Sequence, residues 1–339
     1  MDKLKIIFMG TPLFSVNVLN ALANKYKVVL VVTSPDAYVG RKRVLTPCPV
    51  KQRALELNIP VVSPAKVCAD YKDIENAKPD VIITCAYGQI VSKEILNIPK
   101  HGCINIHASL LPKYRGGAPI HYALLNGEEE TGVTIMYMDE GMDTGDMLVS
   151  KHIKIEDNDN IETLSAKLSE LGAEMIVKYL DDIIAGKINR IKQDNSKATF
   201  ARIIKRGDEH LDFNLSNKEA YNKCRALSPN PLPNFIMDDM EFKIAECSLC
   251  DEEGSPSKII NESKDYFIIG CSSGSLKVTK IKPSGKNIMS VKDFKNGYGS
   301  LLGKELKWNS YLNKKYSLGL THTTYMTKTK ILSIKSKAN

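Results

Sequence analysis

The first third of the chain alternates short apolar runs with segments of helical periodicity, and this alternation limits the fold more than any other feature. Residues 4–9, 28–32, 81–86 and 103–107 have the length and composition of strands buried on both faces. Helical spacing occupies the segments between them. Because strands that alternate with helices form parallel sheets, we predict an α/β, doubly wound, Rossmann-like domain with a mostly parallel sheet.

The pattern changes after the first third of the chain. Residues 131–138 and 147–155 predict later strands, and residues 161–185 predict a long amphipathic helix. After a proline-rich turn at residues 228–233, short alternating strands separated by Gly and Ser follow. These strands indicate a smaller C-terminal β-barrel or sandwich.

We therefore expect two domains, which suits a length of 339 residues. The first domain is predicted to span residues 1–204 and the second residues 205–317. Residues 318–339 are rich in Thr, Lys and Ser without a steady period, and we predict a disordered basic tail there.

Several classes of protein are disfavoured by composition. The sequence contains no apolar run long enough for a transmembrane helix and no pattern of a signal peptide, so we expect a cytoplasmic protein with no membrane contact. The eight cysteines are expected to be reduced. Cys247 and Cys250 form one CxxC without a second pair, so no metal is expected.

Positive charge is concentrated at the C-terminal end. The net charge is +8, and residues 277–339 hold 14 basic residues against Asp293 and Glu305. A basic end on a neutral body is the electrostatic signature of a protein that binds a polyanion. A solvated lysine-rich tail explains the charge equally well.

Polar side chains at the end of one predicted strand are the first candidates for chemistry. Asn105 and His107 lie two apart and project from the same face, near the sheet edge at which α/β proteins bind ligands. An amide donor and an imidazole suit acyl transfer, in which an oxyanion needs hydrogen bonds and protons must move. A structural histidine and a turn-capping asparagine are the alternative.

A Gly-rich acidic loop follows the strand at residues 131–138. A carboxylate there could orient the imidazole and keep it protonated. On composition alone four side chains are candidates, and exposed turn residues are the alternative for all of them: Asp139, Glu140, Asp143 and Asp146.

In these motifs the chain resembles the folate-dependent formyltransferase family. The resemblance covers residues 8–12, the central run at 105–117 and the segment 131–147, and it extends to about residue 308. It implies that the second domain is a barrel of the oligonucleotide-binding (OB-like) type. It also implies a formyl donor, 10-formyltetrahydrofolate, and no metal.

The resemblance implies roles for single residues. Asn105 would hold the formyl oxygen, His107 would be the protonated donor that stabilises the tetrahedral intermediate, and Asp143 would orient His107 and relay protons. Two segments would line the folate site: Ser109, Leu110, Leu111 and Pro112 in one, and Tyr87, Gly88, Gln89 and Ile90 in the other.

Within the family, the chain is most similar to the members that formylate methionyl initiator tRNA for translation initiation. Arg41, Lys42 and Arg43 lie in a basic loop that enters the acceptor stem in those members, and Arg41 matches their key arginine. In the second domain Lys277, Lys280 and Lys282 are predicted to face phosphate. We expect a monomer with folate and initiator Met-tRNA as its partners.

Four other functions remain open. A sugar-nucleotide amine formyltransferase shares the central motifs but differs in the substrate loop. A glycinamide-ribonucleotide formyltransferase needs the first domain alone. A nucleic-acid-binding protein with an inactive enzyme fold is a third alternative, and a hydrolase that releases formate from the same folate is a fourth.

Overall fold

A seven-stranded sheet flanked by helices forms the first part of the protein, in a computed structural model that describes residues 4–40 and 42–307. In chain order the elements are β1 (Lys5–Gly10), α1 (Val16–Lys25), β2 (Lys27–Val32), β3 (Ala37–Val39), β4 (Val44–Thr46), α2 (Pro49–Glu56), β5 (Val61–Val62), α3 (Lys72–Ala77), β6 (Val81–Cys85), α4 (Lys93–Leu96), β7 (Cys103–His107), α5 (Pro119–Leu125), β8 (Glu130–Tyr137), β9 (Met147–Lys154) and α6 (Ile161–Ile184).

The strand order is β5-β2-β1-β6-β7-β8-β9. Its first five strands run parallel, and β8 and β9 are antiparallel additions at one edge. The prediction of a doubly wound, mostly parallel sheet is confirmed. No helix among the described residues has the length and apolar composition needed to span a membrane.

Alternate residues of the central strands enter two separate cores, one on each face of the sheet. Ile104 and Ile106 of β7 pack into the core that includes residues of α1 and α6. Cys103 packs into the opposite core, which includes residues of α3 and α4. Because side chains alternate along a strand, Asn105 and His107 project from the same face as Cys103.

The basic segment after β2 differs from the prediction. It was expected to be a loop, but β3 and β4 pair as an antiparallel hairpin in which Val39 lies opposite Val44. Positive φ at Gly40 (71°) and Arg43 (48°) makes the tight reversal of the chain possible. Nearly all of its side chains are exposed, so the hairpin projects from the body of the protein.

The second part of the described chain forms an antiparallel sheet with a helix at each end. Its elements are α7 (Asn217–Leu227), β10 (Asn234–Met237), β11 (Met240–Cys250), β12 (Ile259–Glu262), β13 (Phe267–Gly270), β14 (Ser275–Pro283), β15 (Met289–Ser290) and α8 (Val291–Tyr298). The strand order is β10-β11-β14-β13-β12, and β15 pairs with β14. The sequence had not predicted α7 or α8.

Residues 305–307 join the two edges of this antiparallel sheet. Lys307 bridges to Ile236 on β10, and Glu305 bridges to Lys258 beside β12. The sheet is thereby curled into a small barrel, as expected. Four aromatic side chains in contact build its core: Phe213, Phe235, Phe242 and Phe294.

The two parts of the chain pack against each other through α5 and α7. Asn222 of α7 is 5% exposed and packs closely against Gly127. A side chain at residue 127 would collide with it, because the added Cβ would lie 2.6 Å from Asn222 Nδ2.

The barrel core includes residues as early in the chain as Leu211 and Phe213. The boundaries at 1–204 and 205–317 stay predictions, and the tail predicted at 318–339 lies outside the described residues.

Candidate active site

Asn105 contacts a residue on each side of it. On the neighbouring strand β6, the Thr84 hydroxyl donates a hydrogen bond to Asn105 Oδ1 at 2.9 Å. This bond turns the amide so that Nδ2 points the other way, where it lies 3.3 Å from Asp143 Oδ1. The sequence did not indicate Thr84, because its contact follows from the register between β6 and β7.

His107 is held from both ring nitrogens. It is 6% exposed, and its Nε2 lies 2.9 Å from the backbone oxygen of Tyr114. A carbonyl oxygen only accepts, so Nε2 carries a proton. The other nitrogen, Nδ1, lies 3.7 Å from Asp143 Oδ1. Both ring nitrogens of His107 therefore face oxygen acceptors.

Tyr114 can offer its carbonyl because of its backbone conformation. Its φ of 61° is in the left-handed region, which a bulky residue adopts only under constraint. The phenol is anchored by Glu128 at 2.5 Å and Asn126 at 2.9 Å, and burial raises the Tyr114 pKa to about 12. This residue belongs to the recognised motif, but no sequence pattern shows the direction of its carbonyl.

Asp143 is the acidic residue of the β8–β9 loop that contacts both Asn105 and His107. Its Oδ2 accepts a hydrogen bond from the Gly116 amide at 2.8 Å, and its φ is 54°. Two of the other acidic candidates are engaged elsewhere. Asp139 binds Thr144 within its own turn, and Glu140 pairs with Lys93.

A segment from the end of the first domain supports this loop. Gln193 donates two hydrogen bonds to loop carbonyls, at Asp143 and Gly145. Arg115, which is 3% exposed, donates in turn to Gln193. Neither residue was predicted as a site residue. Gln193 lies in a polar stretch without periodicity, so no pattern in the sequence indicates that it contacts the loop of Asp143.

The predicted folate segment at residues 109–112 follows β7 directly. Ser109 is fully buried, and its hydroxyl donates to the Lys113 carbonyl at 2.6 Å. The Leu111 amide donates to Thr134 Oγ1, and the Leu111–Pro112 peptide bond is cis. These contacts fix the backbone of Ser109, Leu110, Leu111 and Pro112 beside His107.

The second predicted folate segment follows β6. Since Thr84 pairs with Asn105, residues 86–90 leave the sheet beside His107. The Tyr87 ring is 4% exposed and faces the core, and burial raises its pKa to about 12. The Gln89 amide bonds to the backbone of Pro64 and Val67. Gly88 has no side chain and Ile90 is 85% exposed, so backbone and apolar surface are both accessible at this edge.

The predicted tRNA residues occupy two places. In the hairpin, Lys42 is exposed and the Arg43 guanidinium lies 5.3 Å from the centre of the Tyr38 ring, whereas Arg41 lies outside the described residues. On β14 the core takes Leu276, Val278 and Ile281.

The three predicted lysines of β14 therefore project from its outer face. Lys277 lies 4.1 Å from the Tyr266 ring centre, Lys280 pairs with Glu246 at 2.6 Å, and Lys282 is exposed. The two predicted groups of basic residues are thus on different elements.

Among residues 4–40 and 42–307, no cluster of three or more His, Cys, Asp or Glu side chains has the arrangement of a metal site. The eight cysteines are free thiols. Burial raises the pKa of Cys85 and Cys103 to about 12. These two thiols therefore pack as small apolar side chains.

Two family models match the chain. One, described as formyl transferase, matches residues 3–180, and the other, described as formyl transferase C-terminal domain, matches residues 203–299. Among the similar proteins is a methionyl-tRNA formyltransferase of Listeria monocytogenes serotype 4b, which is 48% identical over 90% of this chain and 99% of its own length. The enzyme of that name from Bacillus licheniformis is 45% identical over 89% and 98%.

Solved structures share the fold. A sugar 3N-formyl transferase superposes with a TM-score of 0.63 at 23% identity, over 85% of this chain and all of that one. HypX from Aquifex aeolicus, solved with tetrahydrofolic acid, gives a TM-score of 0.61 at 14% identity over 89% and 48%. At these identities the structures show the fold alone. With both family models matched and relatives at 45–48% identity, the chain belongs to the formyl transferase family.

Proposed function

We propose that the protein transfers the formyl group of 10-formyltetrahydrofolate to the amino group of methionyl initiator tRNA, which gives N-formylmethionyl-tRNA. The convergence of Asn105, His107 and Asp143 at one edge of the sheet carries the chemistry. The choice of acceptor is supported by relatives named methionyl-tRNA formyltransferase that are 45–48% identical to almost the whole chain.

The bound folate supplies an activated formyl group, and the side chains of the site position it and move protons. Asn105 Nδ2 and the Nδ1 of a cationic His107 donate toward the space beside Asp143, where negative charge develops on the formyl oxygen. The two donors are fixed before the reaction, Asn105 by Thr84 and His107 by the Tyr114 carbonyl. Their orientation therefore costs no reorganisation at the moment of reaction.

Asp143 is the group in the site that can accept a proton. As the amine nitrogen forms its bond to the formyl carbon it loses a proton, and the folate nitrogen gains one when its bond to that carbon breaks. A carboxylate 3.7 Å from His107 can pass this proton through water and also stabilise the cationic imidazole. We assign Asp143 both tasks.

The residues at the sheet edge fit a flat, partly apolar folate. The two predicted folate segments leave neighbouring strands beside His107, and their backbones are fixed by Thr134 and Gln89. Apolar side chains on the loops after β1, β6 and β8 are exposed: Leu13, Ile90 and Met142. A bound ring system would cover such surface. We therefore assign folate binding to residues 86–90 and 109–112.

We assign tRNA contacts to the hairpin and to the outer face of β14. The hairpin presents Lys42 and Arg43, and β14 presents Lys277, Lys280 and Lys282. Arg41, which the resemblance assigns to tRNA, lies outside the described residues. Guanidinium and ammonium groups on exposed elements bind phosphates, and the exposed Tyr38 adds an aromatic face for a base. We further propose that the protein acts as a monomer in the cytoplasm, where initiator tRNA is charged and used.

The test is transfer of labelled formyl from 10-formyltetrahydrofolate to charged initiator Met-tRNA. An amino-sugar nucleotide and a reaction without acceptor are run beside it. We expect label on the Met-tRNA alone. Label on the sugar would keep the chemistry and overturn the acceptor. Formate release without acceptor would indicate a hydrolase, and no consumption of the donor would indicate an inactive enzyme fold.

A further inference from the structure

Gln193 uses both amide protons on the loop that carries Asp143. Its Nε2 donates to the backbone oxygens of Asp143 and Gly145, each at 2.8 Å. Asp143 has a left-handed φ of 54°, a conformation that residues other than glycine adopt only occasionally. The two bonds act on the backbone at this residue, so they help to keep a strained conformation that aims the carboxylate at His107.

Arg115 determines which end of the Gln193 amide faces the loop. Its Nε and Nη2 donate to Gln193 Oε1 at 3.0 and 2.8 Å, and Nη2 also donates to Asn195 Oδ1 at 2.8 Å. A guanidinium has donors only, so the amide oxygen must face Arg115 and the NH₂ group must face the loop. The flipped amide would place its oxygen against two carbonyls.

Arg115 is costly to bury. It is 3% exposed, and within the described part of the chain its side chain makes no ion pair and is held by two neutral amides. Burial of a charge without a counter-charge is unfavourable, because the charge loses its hydration. Packing alone would be served better by an apolar side chain, so the arrangement points to a functional demand on this position.

The segment of Gln193 also contacts Tyr114, the residue whose carbonyl binds His107. Thr199 accepts a hydrogen bond from the Tyr114 amide at 2.8 Å through its side chain, and from the Arg115 amide at 2.8 Å through its backbone. Tyr114 in turn offers its carbonyl to His107. Residues 193–199 therefore contact both loops that position the imidazole and the carboxylate.

We propose that Gln193 is a positioning residue for the formyl transfer, held in one orientation by Arg115, and that it acts by keeping Asp143 in place beside His107. The inference rests on the proposed function, because it assigns Asp143 a part in that reaction. Gln193 itself contacts backbone oxygens, so its influence on the reaction passes through Asp143.

The substitution Gln193→Glu tests this directly. The carboxylate still accepts from Arg115 but offers only oxygens to the two loop carbonyls. We expect kcat for Met-tRNA to fall about 10-fold or more, as small misplacements of catalytic groups do. KM for the folate and for Met-tRNA should stay within about 3-fold, since no substrate contact is removed. Lys197→Gln makes the same change in charge on an exposed side chain of this segment and should leave kcat unchanged.

A double-mutant cycle with Asp143→Asn separates positioning from general stability. If Gln193 acts through Asp143, Gln193→Glu should lower the single-turnover rate less than about 2-fold once Asp143 is replaced. An equal loss in both backgrounds, a wild-type kcat in Gln193→Glu, or a rise in KM alone would each overturn the inference. Arg115→Lys, which keeps the charge but loses the planar fork, should resemble Gln193→Glu.

The experiments distinguish a failure of the proposed function from a failure of the positioning role. If the wild-type protein formylates an amino-sugar nucleotide and not Met-tRNA, the acceptor is wrong and the same cycle is run with the sugar. If the wild-type protein transfers formyl to neither acceptor, the proposed function and the positioning role fall together. If it formylates Met-tRNA and the cycle shows independent losses, the positioning role alone falls.

Discussion

At the scale of single residues, the role that we propose for His107 requires a ring that is held in one orientation. Both ring nitrogens of His107 face acceptors, and the ring is almost wholly buried. His107→Ala removes the donor to the formyl oxygen, and we expect kcat to fall by about 10²–10⁴-fold. Met-tRNA binding, measured by filter retention, should change less than about 2-fold. A variant that keeps a tenth of the activity would contradict the assigned role.

The orientation of Asn105 gives a second prediction at this scale. The Thr84 hydroxyl selects one of the two amide orientations. Thr84→Val keeps the shape of the side chain and removes this bond, so Asn105 can present either oxygen or nitrogen to the site. We expect a loss in kcat of about 10-fold in steady-state transfer. Thr84→Ser keeps the hydroxyl and serves as the control, and equal rates in the two variants would remove Thr84 from the site.

The sequence could predict the parts of the site that depend on local geometry. Asn105 and His107 share a face because they are two apart on a strand. The choice of Asp143 among four acidic residues came from the family resemblance, since composition does not show where a loop turns. The Tyr114 carbonyl, Thr84 and Gln193 were not predicted, because their contacts join segments far apart in the sequence.

At the scale of elements, apolar runs located the strands and amphipathic spacing located α6. Hydrophobic periodicity did not locate the elements that are only partly buried. The hairpin of β3 and β4 is exposed on both sides, so it lacks the alternation that marks a strand. Likewise α7 carries many polar residues, since its buried residues are divided between the barrel core and α5. Its capping box at Ser216 and Glu219 was the available signal.

The hairpin is the element that we expect to reach the tRNA. Arg41→Ala should raise KM for Met-tRNA about 10-fold and leave KM for the folate unchanged, because the hairpin is separate from the folate segments. A plot of log(kcat/KM) against log salt concentration should become shallower, its slope decreasing in magnitude by about 1, because one phosphate contact is lost. Lys178→Ala removes an exposed positive charge from α6, which packs into the same core as α1, and should change neither value. A weaker effect of Arg41→Ala than of Lys178→Ala would contradict the assignment.

At the scale of the whole molecule, the seven-stranded sheet with its helices and the C-terminal barrel meet in one contact region. The helices α5 and α7 pack together, and residues 193–201 run from the candidate active site toward the barrel. Along this connection lie two histidines whose pKa is lowered by burial, His121 on α5 and His210 at the entrance to the barrel. Asn234 opposes the effect of burial on His210 by its hydrogen bond, and nearby Lys223 adds to it.

These histidines make the folded protein sensitive to acid. Below pH 6.5, their ordinary pKa, the unfolded chain takes up protons that the folded chain does not bind until the pH falls through the lowered values. The free energy of unfolding should therefore decrease as the pH falls, by up to about 1.4 kcal/mol per pH unit for each histidine. His210→Gln can still donate to Asn234 but does not titrate, so urea unfolding between pH 7.5 and 5.5 should show a smaller decrease. An unchanged slope in His210→Gln would show that His210 titrates alike in both states.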